Sequence, residues 1–362
     1  MSFSEKKGRS AWLALFLSTL LCIAPVSAEE YFDRYDLSPA LAVLDLGAQP
    51  LGYPSGVISS VMQRDRRLQA ALQSMGIGSK VYPFKRGADM IGLLSDGRLE
   101  AGLLGDLPTI LTASARKVWI VGLVKQTSTA IVAKGDTQVG ALIGKKIAYV
   151  PISSAHHTLL QGLASAGLKE DQVTLVSMGV EAMPLALARG EVDAFAAWEP
   201  APTIALEKST ENRIVFRGRS SDYFVLERGF EAHNPEAARV LVAGFVRAIE
   251  WMRRSQKNVG KAARWVLADG EKFAGKPMVL SVEQIVAITR REILNIPSAP
   301  VILPLSSGER PLKSEFDFLQ RMGKLPKEAS WENLSDSFAY EGLKRVLSER
   351  QKYQITAFDY EE

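Results

Sequence analysis

Residues 97–106 read Gly-Arg-Leu-Glu-Ala-Gly-Leu-Leu-Gly-Asp, and residues 190–199 read Gly-Glu-Val-Asp-Ala-Phe-Ala-Ala-Trp-Glu. Aligned without a gap, the two segments share their first glycine, an acidic residue at the fourth position and another at the tenth. Each segment follows a helical pattern, so we predict a helix that ends at the glycine, a short buried strand, and then Asp106 or Glu199. Ordinary αβ connections explain the glycines and the apolar strands, but they do not explain the matched acids.

This internal repeat predicts two lobes with a ligand between them. In open α/β sheets, ligands bind outside the carboxyl ends of the strands, and both acids follow such an end. The chain up to residue 226 alternates short apolar strands with helical patterns, including one amphipathic helix over residues 56–74, and then becomes mainly helical. That alternation predicts an α/β fold with two parallel-dominated sheets flanked by helices.

The first residues have the three parts of a secretory signal. Basic residues at positions 6, 7 and 9 precede an apolar run over residues 11–23, and small residues follow up to Ala28. We therefore predict export with cleavage near Ala28. A membrane anchor is the alternative, but the run is shorter than the ~20 residues of a spanning helix. Lipid attachment at Cys22, the single cysteine, is disfavoured because Leu21 stands where a small residue is expected.

Composition and missing motifs exclude several function classes. The 44 basic and 40 acidic residues are spread along the chain without a dense basic block, so we expect no nucleic-acid partner. The adjacent His156 and His157 lack the spacing of metal ligands, and no glycine-rich nucleotide motif is present, so we predict neither a metal nor a cofactor. No nucleophile motif is readable either, which predicts a protein that is not an enzyme.

A serine-rich loop opens the helix predicted after residue 150. Ser153 or Ser154 can cap this helix, and its free N–H groups and dipole favour a negative or polar ligand group. His156 in the first turn would be neutral and able to donate one N–H. The alternative is that the serines only cap the helix.

Two further turns are candidates for ligand contact. Trp198 can cover the apolar part of a ligand while Glu199 accepts a hydrogen bond. Gly105 allows close approach of the backbone, and Asp106 can either cap the next helix or accept from the ligand. The alternative for Trp198 is packing under a surface loop.

Several short motifs occur in an order typical of one family. They are Gly47-Ala48-Gln49, residues 105–108 (Gly-Asp-Leu-Pro), residues 142–148 (Leu-Ile-Gly-Lys-Lys-Ile-Ala), Ser153-Ser154 with His156, Trp198-Glu199-Pro200, and residues 319–326. On these motifs the chain resembles the periplasmic solute-binding proteins of ABC importers, in the sulfonate, taurine and nitrate group that also contains thiamine-precursor binders.

The resemblance implies a periplasmic-binding-protein type II fold with two crossover strands, near residues 127–133 and 220–226. It implies a signal peptide over residues 1–28, a first lobe over 29–127 and 223–362, and a second lobe over 128–222. The ligand site would comprise Gln49, Gly105, Asp106, Ser153, Ser154, His156, Trp198 and Glu199. The partners would be a small solute and an ABC permease in the membrane, and we expect a monomer.

The two predicted acids bear on the nature of the solute. Unpaired carboxylates repel a buried anion, so we expect a ligand with a donor or positive group, such as an amino-sulfonate or an amino-pyrimidine, rather than nitrate. Two alternatives remain on the same scaffold. One is an enzyme that uses Asp106, Glu199 and His156 as acid–base groups, and the other is a sensory ligand-binding protein.

Overall fold

The computed structural model describes residues 1, 30–37, 42–135, 137–295 and 311–360. Apart from residue 1, the predicted signal peptide lies outside the described residues. The chain divides into a short unit, Met1–Tyr35, and a large unit, Asp36–Glu362. In the short unit, residues 31–35 form turns, and the Glu30 amide donates to Asp33 Oδ2 at 2.8 Å.

Eight strands of the described residues form one hydrogen-bonded sheet in the order β2-β1-β3-β8-β4-β7-β5-β6. Their bounds are β1 Val43–Ala48, β2 Gly78–Pro83, β3 Ala101–Gly105, β4 Val118–Lys134, β5 Lys146–Tyr149, β6 Thr174–Ser177, β7 Ala194–Ala197 and β8 Asn212–Glu227.

The sheet has two parallel arms. In the first arm, β1 pairs in parallel with β2 and β3, and in the second arm, β5 pairs in parallel with β6 and β7. The long strands β4 and β8 run antiparallel to each other between the arms, with Thr127 opposite Ser220. The predicted α/β class and the two crossover strands are thus confirmed, while the backbone hydrogen bonds join the two predicted sheets into one.

The sequence repeat corresponds to a repeat of structure. Both of its glycines have positive φ angles, 67° and 70°, which a glycine adopts without strain. The acid at the fourth position accepts the amide of the central parallel strand in each arm: Glu100 Oε2 bonds Asp45 N at 2.7 Å, and Asp193 Oδ2 bonds Lys146 N at 2.9 Å. Each segment therefore attaches its strand to the arm in the same way.

Helices cover both faces of the sheet. Their bounds are α1 Ser55–Gln63, α2 Arg66–Ser74, α3 Ile91–Ser95, α4 Asp106–Ala113, α5 Ser154–Ser165, α6 Met183–Ala188, α7 Ala201–Lys208, α8 Arg228–His233, α9 Pro235–Arg254, α10 Gln256–Ala274, α11 Val282–Thr289, α12 Lys313–Arg321, α13 Trp331–Ser335 and α14 Glu341–Ser348. A π-helical turn, Arg290–Leu294, follows α11. Among the described residues, no helix combines the length and the apolar character needed to cross a membrane.

The predicted single helix over residues 56–74 is wrong, because the chain breaks at Asp65. That carboxylate caps α2 by accepting from the amides of Arg67 and Leu68, both at 3.1 Å. Its other oxygen lies 2.6 Å from Arg247 Nε on α9. The apolar periodicity continues through both helices, but a buried ion pair with a residue far along the chain ends the first helix.

The buried side chains form separate cores on the two arms. One core joins the first arm with α1, α2, α9, α10 and the C-terminal helices. Two smaller cores lie within residues 130–216 and pack around the second arm. The exact lobe bounds given above stay a prediction.

Candidate functional site

A cavity of about 60 Å³ lies between the two arms. A cavity needs a volume of about 10–15 Å³ to hold one water molecule, so this cavity suits a small solute. Its walls come from the segments after β1, β2, β3, β5 and β7 and from the middle of β4 and β8. The carboxyl ends of parallel strands from both arms therefore meet at this cavity, as the sequence repeat predicts.

Five of the eight predicted site residues line the cavity: Gln49, Gly105, Ser153, Ser154 and Trp198. The Gln49 amide is oriented by donating from Nε2 to the carbonyl of Leu103 on β3, at 2.9 Å. Ser153 caps α5, because its Oγ accepts from the His156 amide at 3.3 Å. The same hydroxyl donates to the Val150 carbonyl at 2.7 Å.

Asp106 does not line the cavity. It begins α4 and is 1% exposed. Its Oδ1 accepts from Ser154 Oγ at 2.5 Å and from the Leu107 amide at 2.8 Å. Burial raises the pKa of this carboxyl to about 7, although the Ser154 hydrogen bond acts in the opposite direction. Asp106 therefore contacts a cavity residue and not the cavity itself.

Glu199 also lies outside the cavity lining, and its oxygens already have partners. Oε1 accepts from Arg291 Nη2 at 2.8 Å, and Oε2 accepts from the Thr203 amide at 3.3 Å. The Glu199 carbonyl accepts the amide of Tyr53, which follows β1, at 3.3 Å. Glu199 thus joins the second arm to the first.

His156 is buried behind the cavity wall. Its ring centroid lies 4.7 Å from that of Tyr149 and 5.6 Å from that of Phe318. Nδ1 accepts from the Ile152 amide at 3.3 Å. Burial lowers the pKa of His156 to about 4, so the ring is neutral at pH 7. Its position supports the turn into α5, and His156 is not among the residues that line the cavity.

Sequence reasoning missed the charged centre of the cavity. Lys125 on β4 and Asp222 on β8 both line it, and Lys125 Nζ lies 3.8 Å from Asp222 Oδ1. The Ser55 hydroxyl donates to the other oxygen of Asp222. The antiparallel register places Asp222 opposite Lys125 and also opposite Gly105 of β3. The signal that could have found them was a charged residue in or next to each predicted crossover strand: Asp222 lies inside residues 220–226, and Lys125 lies two residues before residues 127–133.

The cavity carries an excess of positive charge. Its charged lining residues are Lys125, Arg86 and Asp222, two cations and one anion. Lys125 is only 5% exposed, whereas half of the Arg86 side chain is exposed and its Nε donates to Asp89 at 2.6 Å. The first N–H groups of a helix have no acceptor inside it, and α5 begins at the cavity. These groups together favour a ligand with an anionic end.

Within the described residues, no cluster of three or more histidine, cysteine or acidic side chains could hold a metal ion.

Comparison with known proteins agrees with this arrangement. A sequence profile of the NMT1-like family matches residues 110–267. The taurine-binding periplasmic protein of Escherichia coli strain K12 is 29% identical over 199 residues, which cover 50% of this chain and 62% of that protein. The chain resembles the periplasmic solute-binding proteins. The resemblance predicted from the motifs is thus confirmed, over less than two thirds of the taurine-binding relative.

Solved structures show the same fold. The periplasmic aliphatic sulphonate-binding protein of Escherichia coli superposes with a TM-score of 0.61 at 21% identity, covering 81% of this chain and 91% of that one. The desulfurization enzyme DszB also has this fold, with a TM-score of 0.52 at 15% identity, over 85% of this chain and 99% of that one. Because binding proteins and an enzyme share the fold, the function must be argued from the site.

Proposed function

We propose that the protein binds a small organosulfonate in the cavity and delivers it to an ABC importer in the membrane. The observation that carries the proposal is the buried ammonium of Lys125. Burying a charge is unfavourable unless it is paired and hydrogen-bonded. Its ion-pair partner Asp222 lies at 3.8 Å, which is longer than a hydrogen bond. An anionic group in the cavity would complete the coordination of this ammonium.

The remaining groups favour an amino-sulfonate such as taurine. The sulfonate would lie against Lys125 and the start of α5. The ammonium would lie near Asp222 and Ser55, whose hydroxyl hydrogen already points to Asp222, so that its oxygen can accept. The indole of Trp198 would cover the short alkyl chain. With Asp106 and Glu199 outside the lining, the acid that favours a cationic group is Asp222.

The protein would act by binding and release, as an exported monomer. The groups available to an enzyme on this scaffold, Asp106, Glu199 and His156, are outside the cavity lining and bonded to protein atoms. The taurine- and sulphonate-binding names of its relatives support transport. Closure of the two arms on the solute would present a surface to the permease.

Isothermal titration calorimetry tests this proposal. Taurine, ethanesulfonate, nitrate and an amino-pyrimidine are titrated into wild-type protein and into the Lys125→Met and Lys145→Met variants. Lys145 is a matched control because it is half exposed and pairs with Asp193 at 3.6 Å, away from the cavity.

We expect both sulfonates to bind to the wild type and to Lys145→Met. Loss of a charge-assisted hydrogen bond, worth about 1.5–3 kcal/mol, weakens binding to Lys125→Met by roughly 10- to 150-fold. Binding of the amino-pyrimidine alone, or equal affinities for all three proteins, would contradict the proposal. Recovery of a chemically altered sulfonate would favour an enzyme.

A further inference from the structure

Asp106 is a buried acid that contacts the cavity only through a serine. Its side chain is 1% exposed, and Oδ1 lies 2.5 Å from Ser154 Oγ. Its Oδ2 is buried and has no hydrogen-bond partner among the described residues. Ser154 is the first residue of α5 and lines the cavity. The carboxyl therefore contacts the cavity lining through the Ser154 hydroxyl.

We infer that Asp106 is a positioning residue whose protonation state decides which hydrogen-bonding group Ser154 offers to the ligand. An ionised carboxylate only accepts hydrogen bonds. The Ser154 hydrogen then points to Oδ1, and only a lone pair of its oxygen faces the cavity. When Asp106 is protonated, its own O–H donates to Ser154, and the serine hydrogen is free to turn toward the ligand. The proton comes from solvent, and no bond of the ligand changes.

The neighbours of Asp106 favour protonation near neutral pH. Burial is the main reason that the pKa of Asp106 is raised to about 7, and the nearby carboxylates of Glu315 on α12 and Asp222 on β8 raise it further. The cation Lys125 on β4 forms an ion pair with Asp222. Tyr223, also on β8, has a pKa raised well above 10 by burial, so it stays neutral.

Other charged and titratable groups lie on the elements around Asp106. Burial lowers the pKa of both His156 and His157 on α5 to about 4. Before α3, Arg86 and Asp89 form an ion pair at 2.6 Å, and Glu332 on α13 is exposed. Glu315 is the remaining group whose titration needs a control, because burial raises its pKa as well.

The consequence, which rests on the proposed function, is a pH-dependent affinity for sulfonates. A sulfonate only accepts hydrogen bonds, so it gains a donor when Ser154 turns, and it loses a nearby negative charge. Affinity for ethanesulfonate is therefore higher below pH 7 than above it. One additional donor to an anion changes the affinity by about tenfold.

The test measures the Kd of ethanesulfonate by calorimetry from pH 5.5 to 8.5 at constant ionic strength. We expect a decrease in affinity of about tenfold across this range for wild type and for the control Glu315→Gln. Asp106→Asn, which cannot ionise, should show no pH dependence. Ser154→Ala, which keeps the Asp106 charge but lacks the donor, should bind more weakly than wild type below pH 7 and should show a smaller pH dependence. Equal pH profiles for wild type and Asp106→Asn would overturn the inference.

A ligand-free measurement separates this inference from the proposed function. Infrared difference spectra between pH 5.5 and 8.5 should contain protonated-carboxyl bands, including those of Asp45 and Glu100, whose pKa values burial raises to about 6 and about 8. One component of these bands should be removed by Asp106→Asn and retained by Glu315→Gln. If Asp106→Asn removes no component, the titration of Asp106 is refuted, whatever the ligand. Failure of ethanesulfonate to bind wild type at any pH instead refutes the proposed function, and with it the role of Ser154 toward a sulfonate.

Discussion

Replacing Arg291 with alanine removes an ion pair that joins the two arms across the cavity. Arg291 Nη2 lies 2.8 Å from Glu199 Oε1, and the two side chains are 52% and 12% exposed. Glu199 follows β7 of the second arm, whereas the π-helical turn that contains Arg291 packs through Ile293 into the core of the first arm. The ion pair thus links the two arms, and we expect its loss to weaken ligand binding more than it weakens folding.

The size of the effect follows from the exposure of the pair. Exposed ion pairs contribute about 0.2–1 kcal/mol, and the low exposure of the Glu199 side chain, 12%, places this pair at the upper end. A loss of about 1 kcal/mol in the closing equilibrium raises the Kd of the ligand roughly fivefold. The free energy of unfolding without ligand should change by less than about 0.5 kcal/mol, as for most surface substitutions.

Calorimetry with taurine, and urea unfolding without it, provide the two measurements. A double-mutant cycle of Arg291→Ala and Glu199→Gln isolates the coupling between the two side chains, and Gln still offers an oxygen to the Thr203 amide. Arg345→Ala is the matched control, because Arg345 pairs with Glu349 at 2.9 Å within one exposed helical segment. If Arg291→Ala leaves the Kd unchanged, or if it reduces stability as much as affinity, the pair does not hold the arms closed.

Two further predictions concern the glycine-rich loop after β1 and the buried acid of the repeat. A Cβ at Gly56 would lie 2.5 Å from the Gln49 carbonyl oxygen, so Gly56→Ala should destabilise the fold by about 1–3 kcal/mol and weaken taurine binding. Gly92→Ala is the control, because a Cβ at Gly92 would meet no atom within 4 Å. Equal urea unfolding curves for the two variants would contradict the reasoning. Burial raises the pKa of Glu100 to about 8, so its contribution to stability is present below its unfolded-state pKa and is lost as pH rises toward 8. Relative to wild type, Glu100→Gln should therefore gain up to about 1.4 kcal/mol of unfolding free energy per pH unit between pH 5 and 8, and parallel profiles in urea unfolding would argue against this.

The candidate site was predictable to the level of loops but not of side chains. Gly105, Ser154 and Trp198 line the cavity, while Asp106 and Glu199, each one residue from a lining residue, do not. At these turns from strand to helix, the backbone direction changes within two residues, so the side chains of consecutive residues point in different directions. A motif read as a unit therefore locates the turn correctly without identifying which of its residues can contact a ligand.

Lys125 and Asp222 show a different limit. They are far apart along the chain and meet only because β4 and β8 pair antiparallel in one register. Within each strand the polar residues interrupt the apolar pattern, which predicts two short strands instead of one long one. A contact between residues far apart in sequence also ends the first helix, because Asp65 forms a buried ion pair with Arg247.

The sequence by itself determined the α/β class, the repeated αβ unit of the two arms and the turns that surround the cavity. Those features depend on periodicity, on glycines with positive φ and on short-range order along the chain. The tertiary structure alone decided that the cavity is centred on Lys125 and Asp222, and that Asp106 and Glu199 bond to protein groups. Those outcomes depend on strand register and on contacts between the arms, which bring together residues that no local pattern connects.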